Sequence, residues 1–203
     1  KPDTGYLPKW KTKFTGPYVL SCKLDGVSGL FAAGKLYTRG NGIVGQDVSH
    51  LIPYLQLPKD SDAVIRGEFI IPKAVFAKKY AKDFSNPRNF VAGVVNSKTV
   101  DVSKVKDLDF VAYEVIQPEL KPSEQMALLT SLDVEVVRFV EEADISNELL
   151  SELLVAWRDA YKYEIDGVIC VDDKIYPRKR GNPEHAFAFK MVLGDQVAEA
   201  KVV

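Results

Sequence analysis

The 203 residues predict an α+β fold of antiparallel sheets with flanking helices. Short segments rich in Val, Ile, Phe and Tyr recur along the chain, each bounded by Gly, Asp, Asn or Pro, as strands are. Helical spacing is confined to two stretches, and no glycine-rich dinucleotide fingerprint follows a strand. With 46% hydrophobic and 27% charged side chains, the chain has enough apolar material for one substantial core.

In order, the predicted strands are PYVLSCKL (17–24), SGLFAAGKLYT (28–38), AVIRGEFII (63–71), LDFVAYEVI (108–116), VEVVRFVEEA (134–143), DGVICVDD (166–173) and HAFAFKMVL (185–193). AAGKL (32–36) and DDKIY (172–176) read as hairpin turns, which makes neighbouring strands antiparallel. KAVFAKKYAKD (73–83) reads as a helix with Pro72 at its first position. SNELLSELLVAWRDAYKY (146–163) is a stronger helix, with Ser146 as N-cap and Leu149, Leu150, Leu153, Leu154 and Trp157 along one face. VIQPELKPSEQ (115–125), with two prolines, reads as the main loop.

Several function classes are excluded at this level. No apolar run reaches the length of a membrane span and no signal peptide opens the chain, so an intracellular protein without a membrane partner is expected. The net charge of −1 rules out a polybasic wrapper of nucleic acid and leaves room only for a local basic strip. Cys22 and Cys170 lie in β-prone stretches outside any metal-ligand spacing and are expected as buried, reduced thiols. The chain begins with Lys1, and DQVAEAKVV (195–203) still alternates where it stops; the expectation is one domain, residues 1–203, from a larger protein.

Chemistry is carried by five short stretches. KLDG (23–26) puts Lys23 between a strand and a turn; an amine attacks phosphorus only when neutral, so such a lysine needs a site that lowers its proton affinity. YTRGNGIVGQDV (37–48) combines Arg39 with three glycines that allow close backbone approach. VIRGEFIIP (64–72) places Arg66 and Glu68 on one strand face, as part of a ligand site or as a salt-bridged strand face. EIDGVICV (164–171) sets Asp166 beside a glycine. AFAFK (186–190) ends an alternating apolar strand in Lys190, whose ammonium needs an anionic partner if it is buried.

In sequence and in order, KLDG, TRGNG, IRGE, IDGV and AFAFK resemble the nucleotidyltransferase motifs of polynucleotide ligases, specifically the adenylation domain of NAD-dependent DNA ligases. TRGNGIVGQDVSHLI (38–52) and FSNPRNFVAGVV (84–95) point to the NAD-dependent branch, and the likeness runs from about residue 18 to the end. The resemblance implies that Lys23 takes AMP as a lysyl phosphoramidate. Arg39 and Glu68 would bind the ribose side, Tyr113 would stack on adenine, and Ser21, Leu24 and Val171 would line the nucleotide. Lys190 would hold the AMP phosphate, and Arg88 and Arg158 would contact phosphate or DNA. Asp25, Glu68 and Asp166 would serve a magnesium ion. It further implies NAD as AMP donor, Mg2+, nicked double-stranded DNA as partner, and flanking domains for nicotinamide binding and oligonucleotide binding.

Three positions depart from the family pattern: Ser21 stands for a glutamate, Val171 for a lysine and Asn96 for an arginine. Whether Lys174 replaces the charge missing at Val171 depends on the turn between them. Arg178, Lys179 and Arg180 form a basic cluster that either meets DNA phosphates or is a solvated loop. His50 and His185 are expected as packing or surface residues. The alternatives are an ATP-dependent ligase of the same fold, a decayed ligase, and a non-catalytic nucleotide-binding or DNA-binding module.

Overall fold

The structure, a computed structural model, describes residues 5–39, 45–178 and 183–190. Its strands are β1 (Tyr18–Leu24), β2 (Val27–Ala32), β3 (Lys35–Thr38), β4 (Gln46–Asp47), β5 (Val64–Ile70), β6 (Asp109–Gln117), β7 (Glu135–Val136), β8 (Phe139–Glu142), β9 (Ile165–Asp172) and β10 (Ala186–Phe189). They form a four-stranded sheet of order β10-β9-β1-β8 and a six-stranded sheet of order β4-β3-β2-β5-β6-β7. Among the described strands every pairing is antiparallel except that of β6 with β7. The AAGKL turn is a two-residue hairpin: Ala33 and Gly34 have φ of 51° and 74°, the left-handed geometry that matches strand twist.

The helices are α1 (Tyr6–Lys13), α2 (Lys73–Lys79), α3 (Pro87–Val95), α4 (Val102–Val105), α5 (Pro122–Ser131) and α6 (Asn147–Ala160). Ser146 caps α6 as the sequence predicts, its hydroxyl accepting the Leu149 N–H at 3.1 Å. The helix lies against β9 and buries Leu150, Leu154 and Trp157. It ends at Ala160 rather than at residue 163, because Tyr161 turns extended (ψ 145°). Pro72 is the N-cap of α2 rather than its first helical residue.

Three sequence expectations are corrected. VEVVRFVEEA is two strands in two sheets. The Val137 N–H donates to Ala112 O of the large sheet at 2.9 Å, and the next carbonyl, of Arg138, accepts the Cys22 N–H of the small sheet at 3.1 Å. VIQPELKPSEQ is the end of β6 and the start of α5: Pro122 sits where no N–H is needed, and the Glu124 carboxylate accepts the Lys121 N–H at 3.3 Å. The Gln125 side chain closes the gap, accepting the Val115 N–H at 3.0 Å and donating to Leu120 O at 2.9 Å. DDKIY is not a tight hairpin: β9 and β10 pair from Val171↔Ala186, but the connection between them runs from Asp173 to His185.

One face of the small sheet is sealed. Tyr18, Leu20 and Cys22 of β1 and Val168, Cys170 and Asp172 of β9 are all buried, and both cysteines are free thiols. Alternation sends Lys23, Gly167, Ile169 and Val171 to the other face. There Lys23, Ile169, Val171 and Ala186 are only half-buried and Ala188 is exposed, which leaves this face partly open.

Candidate active site

β1 and β9 pair so that Lys23 lies opposite Gly167, and the β9–β10 register continues to set Lys190 beside the same glycine. A Cβ at Gly167 would come within 2.7 Å of the Phe189 carbonyl, 3.2 Å of Lys190 Cγ and 3.6 Å of Lys23 Cδ. The missing side chain is thus what lets two lysines approach each other across three strands. Asp166 joins them: Lys23 Nζ donates to its Oδ1 at 3.1 Å, and Lys190 Nζ is 3.8 Å from its Oδ2. One half-exposed carboxylate between two ammonium groups leaves a net positive site, suited to a phosphate.

The facing residues of the large sheet have the opposite character. Glu68 on β5 is 7% exposed. Its carboxylate accepts the Gly26 N–H at 3.0 Å and the Ser28 hydroxyl at 3.3 Å. Burial pushes its pKa from 4.5 up to about 7, against the pull of these hydrogen bonds and of the Lys23 and Arg88 charges. Only glycine fits at position 26, since a Cβ there would lie 2.2 Å from the Phe69 carbonyl. Tyr113 of β6 stands in the same group. Burial and the neighbouring Glu68 charge push its phenol up to about 12, against the pull of the Ser28 hydroxyl.

The strand face holding Arg66 and Glu68 is salt-bridged at Arg66, with a partner on the neighbouring strand. Arg66 Nη1 reaches Glu114 on β6 at 3.7 Å, and Arg178 Nη1 holds the same carboxylate at 2.7 Å while its Nη2 donates to Val115 O at 3.2 Å. Arg178, expected either at DNA or as a solvated loop residue, thus ties the segment after β9 to β6; Lys179 and Arg180 lie outside the described residues. Lys174 does not stand in for the charge missing at Val171. It donates to Gly16 O at 2.9 Å and pairs at 3.2 Å with Asp172, which is fully buried on the sealed face.

The remaining predicted residues divide. Ser21 (8% exposed) pairs with Ile169 on the Lys23 face, Leu24 is buried at the strand end, and half-buried Asp25 follows it with its N–H on Glu164 O at 3.1 Å. Arg39 is exposed beyond β3, its N–H on Ser28 O at 3.1 Å; residues 40–44 of the TRGNG stretch lie outside the described residues. Arg88 is exposed in the first turn of α3, which packs on β2 and β5, and its charge is felt at Glu68. Arg158 is exposed on α6, and its carbonyl holds Lys73 Nζ at 2.9 Å; no hydrogen bond or ion pair among the described residues joins it to Lys23. His185 stacks on Tyr176 at 4.1 Å, and His50 is exposed. Asp25, Glu68 and Asp166 do not converge, and no group of three such metal-ligating side chains occurs among the described residues. Sequence reading passes over Gly26, Ser28 and Gly167. Their signal is positional, since the glycine of IDG can be placed opposite Lys23 only once strand register is known.

Residues 7–192 match the family model of the NAD-dependent DNA ligase adenylation domain. The chain belongs to this family. A DNA ligase of Acanthamoeba polyphaga mimivirus is 39% identical, over 94% of this chain and 32% of its own length. A DNA ligase of Halothermothrix orenii is 30% identical, over 85% of this chain and 30% of its own length. The adenylation domain described here therefore spans about a third of the curated relatives it matches. Among solved structures, a Lig E DNA ligase aligns over 86% of this chain and 62% of that one, with a TM-score of 0.60 at 19% identity. The ATP-dependent DNA ligase from bacteriophage T7, in complex with ATP, aligns over 94% and 68% with a TM-score of 0.52 at 16% identity. These likenesses establish the α+β nucleotidyltransferase fold. No helix among the described residues is long and apolar enough to cross a membrane.

Proposed function

We propose that this adenylation domain takes AMP from NAD onto Lys23 and passes it to the 5′-phosphate at a nick in double-stranded DNA. The observation that carries the reading is the row Lys23–Gly167–Lys190 with Asp166 between the two ammonium groups. In the first step the Lys23 amine attacks the adenylyl phosphorus of NAD. A P–N bond forms, the pyrophosphate P–O bond breaks, and nicotinamide mononucleotide leaves with the electron pair. Asp166, 3.1 Å from Lys23 Nζ, is the group placed to receive the proton that the ammonium must lose. Lys190 is placed to neutralise charge on the phosphate oxygens as they approach.

The other residues bind rather than react. The Glu68–Ser28 pair offers hydrogen bonds to ribose hydroxyls, and Arg39 lies next to Ser28 on the same side. Tyr113 offers a ring to the adenine. Ser21, Leu24 and Val171 belong to the strands of the Lys23 face. Magnesium keeps several of its waters and needs only one or two carboxylates, so single oxygens of Asp166 or Glu68 would suffice where no three-carboxylate cluster exists among the described residues. Arg88 and Arg158 are assigned to phosphate or DNA. Sealing, the nicotinamide segment and the oligonucleotide-binding fold are proposed for the protein as a ligase with its further domains.

The test is the intact mass of the protein, extended at its N-terminus, after incubation with magnesium and either NAD or ATP, with Lys23→Ala beside it. One AMP added from NAD alone and absent from the variant is the expected result. An adduct from ATP alone would transfer the donor assignment, and no adduct from either would leave a non-catalytic binding module.

A further inference from the structure

We infer that α2, α3 and α4 form a docking strip for the phosphate backbone of duplex DNA, leading away from the nucleotide site. The inference rests on the proposed ligase reading but uses residues outside its catalytic machinery. Residues 73–107 hold eight Lys or Arg against three Asp, whereas the rest of the chain holds the remaining 19 against 25 acids. A protein of net charge −1 thus concentrates an excess of five positive charges in one contiguous segment.

The segment folds as one body. Tyr80 stacks on Phe90 at 4.1 Å, and Phe84 meets the edge of Phe90 at 5.2 Å, which joins α2 to α3. Lys104 of α4 lies 5.6 Å over the Phe84 ring, and Asp107 accepts both the Tyr80 hydroxyl and Lys79 Nζ (3.0 Å), which ties α4 to α2. These interactions use up part of the charge. Lys79 is neutralised by Asp107, and Lys73 is held by the Arg158 carbonyl. Lys78, Lys82, Arg88, Lys98 and Lys106 remain exposed, and among the described residues none has an acidic partner within ion-pair distance.

The strip adjoins the nucleotide site through α3. That helix packs on β2 and β5, and the Arg88 charge acts on Glu68. A polyanion whose terminal phosphate sits at Lys23 and Lys190 would therefore find further cations at Arg88 and then along α2 and α4. Lysines without partners suit a backbone read for charge rather than sequence.

The test compares the protein, extended at its N-terminus, with the same protein carrying Lys78, Lys82, Lys98 and Lys106 all changed to Gln, each first assayed for AMP attachment from NAD and then for binding to a nicked duplex by fluorescence anisotropy across salt concentrations. Equal AMP attachment is expected in both. The slope of log K against log salt should fall by about three to four in the variant, close to 0.9 for each phosphate that is no longer neutralised. A control variant, Lys9→Gln with Lys35→Gln and Lys59→Gln, removes exposed lysines elsewhere and should leave the slope unchanged. An unchanged slope in the first variant, an equal loss per lysine in the control, or no binding by the unmodified chain at about 50 mM salt would overturn the docking strip. Failure of AMP attachment in the extended, unmodified protein would instead count against the ligase reading.

Discussion

Glu68→Gln isolates the electrostatic consequence of burying a carboxylate beside Gly26 and Ser28. In the folded protein Glu68 titrates near 7, against 4.5 for a free glutamate, because desolvation outweighs the Gly26 and Ser28 hydrogen bonds and the Lys23 and Arg88 charges. Between those two values the folded state holds a proton that the unfolded state has released. Glu68 therefore contributes stability that is fully present below about pH 4.5 and is lost as pH rises through about 7. The shift of roughly 2.5 pH units corresponds to about 3 kcal/mol at 1.36 kcal/mol per unit. The glutamine of the variant cannot titrate, yet its amide oxygen can still accept the Gly26 N–H. Urea unfolding of both proteins from pH 5 to pH 8 should show the glutamine variant gaining about 2.5 kcal/mol relative to the unmodified protein across that range, whatever the constant offset between them. A difference that does not vary with pH would refute the desolvated-carboxylate account. With Lys23→Ala added to the unmodified protein, the loss of stability should move to higher pH, because a charge that favours the carboxylate is gone.

Three further outcomes are expected. Gly167→Ala should retain the fold but slow AMP attachment by about 100-fold or more, since its Cβ meets a backbone carbonyl at 2.7 Å and must displace the strand that sets Lys190; single-turnover mass spectrometry reads the rate. Cys22, its thiol pushed up to about 12 by burial, and Cys170, raised further still, should both resist thiol reagents at pH 8 in the native protein and react fully in denaturant, as a colorimetric thiol count would show. Ser146→Ala should lower stability by about 1 kcal/mol through loss of the α6 cap, read from the urea midpoint, with AMP attachment unchanged.

The parts of the fold that are legible in sequence are those with strong local periodicity. The strands around Lys23, Glu68 and Asp166 and the long helix α6 are readable because alternation or helical spacing persists over many residues. Two of the shorter helices are not: α3 begins at the proline of a loop-like Ser-Asn-Pro, and α5 begins at a proline within a stretch rich in loop formers, so capping and packing against the sheets decide them. The break between β7 and β8 is hidden because the residues on both sides favour strands, and only the partners of Val137 and Arg138 assign them to different sheets. At the site, side-chain type identifies Lys23, Glu68, Asp166 and Lys190. The supporting glycines and Ser28 act through close approach and cross-strand position, which a sequence does not display.

Register also tells where Ser21 and Val171, two of the three departures from the family pattern, lie. On the open face of the small sheet, Lys23, Gly167 and Lys190 form one row, Ser21, Ile169 and Ala188 the next, and Val19, Val171 and Ala186 the third. Val171 is four residues along β9 from Gly167, about 14 Å at roughly 3.4 Å per residue. Ser21 lies halfway, on the intermediate row. Both positions are therefore displaced in one direction from the lysine row, and Lys23, Asp166 and Lys190 keep their mutual contacts. On the proposed reading, the attacked phosphorus meets its full set of charges, while the part of the donor that covers the second and third rows meets a hydroxyl and apolar side chains in place of a carboxylate and an ammonium. Lys174 cannot restore the charge, because Asp172 and Gly16 hold it on the opposite side of β9. On that reading the departures at Ser21 and Val171 bear on how this domain holds its donor, and Lys23 with its two charged neighbours is left intact.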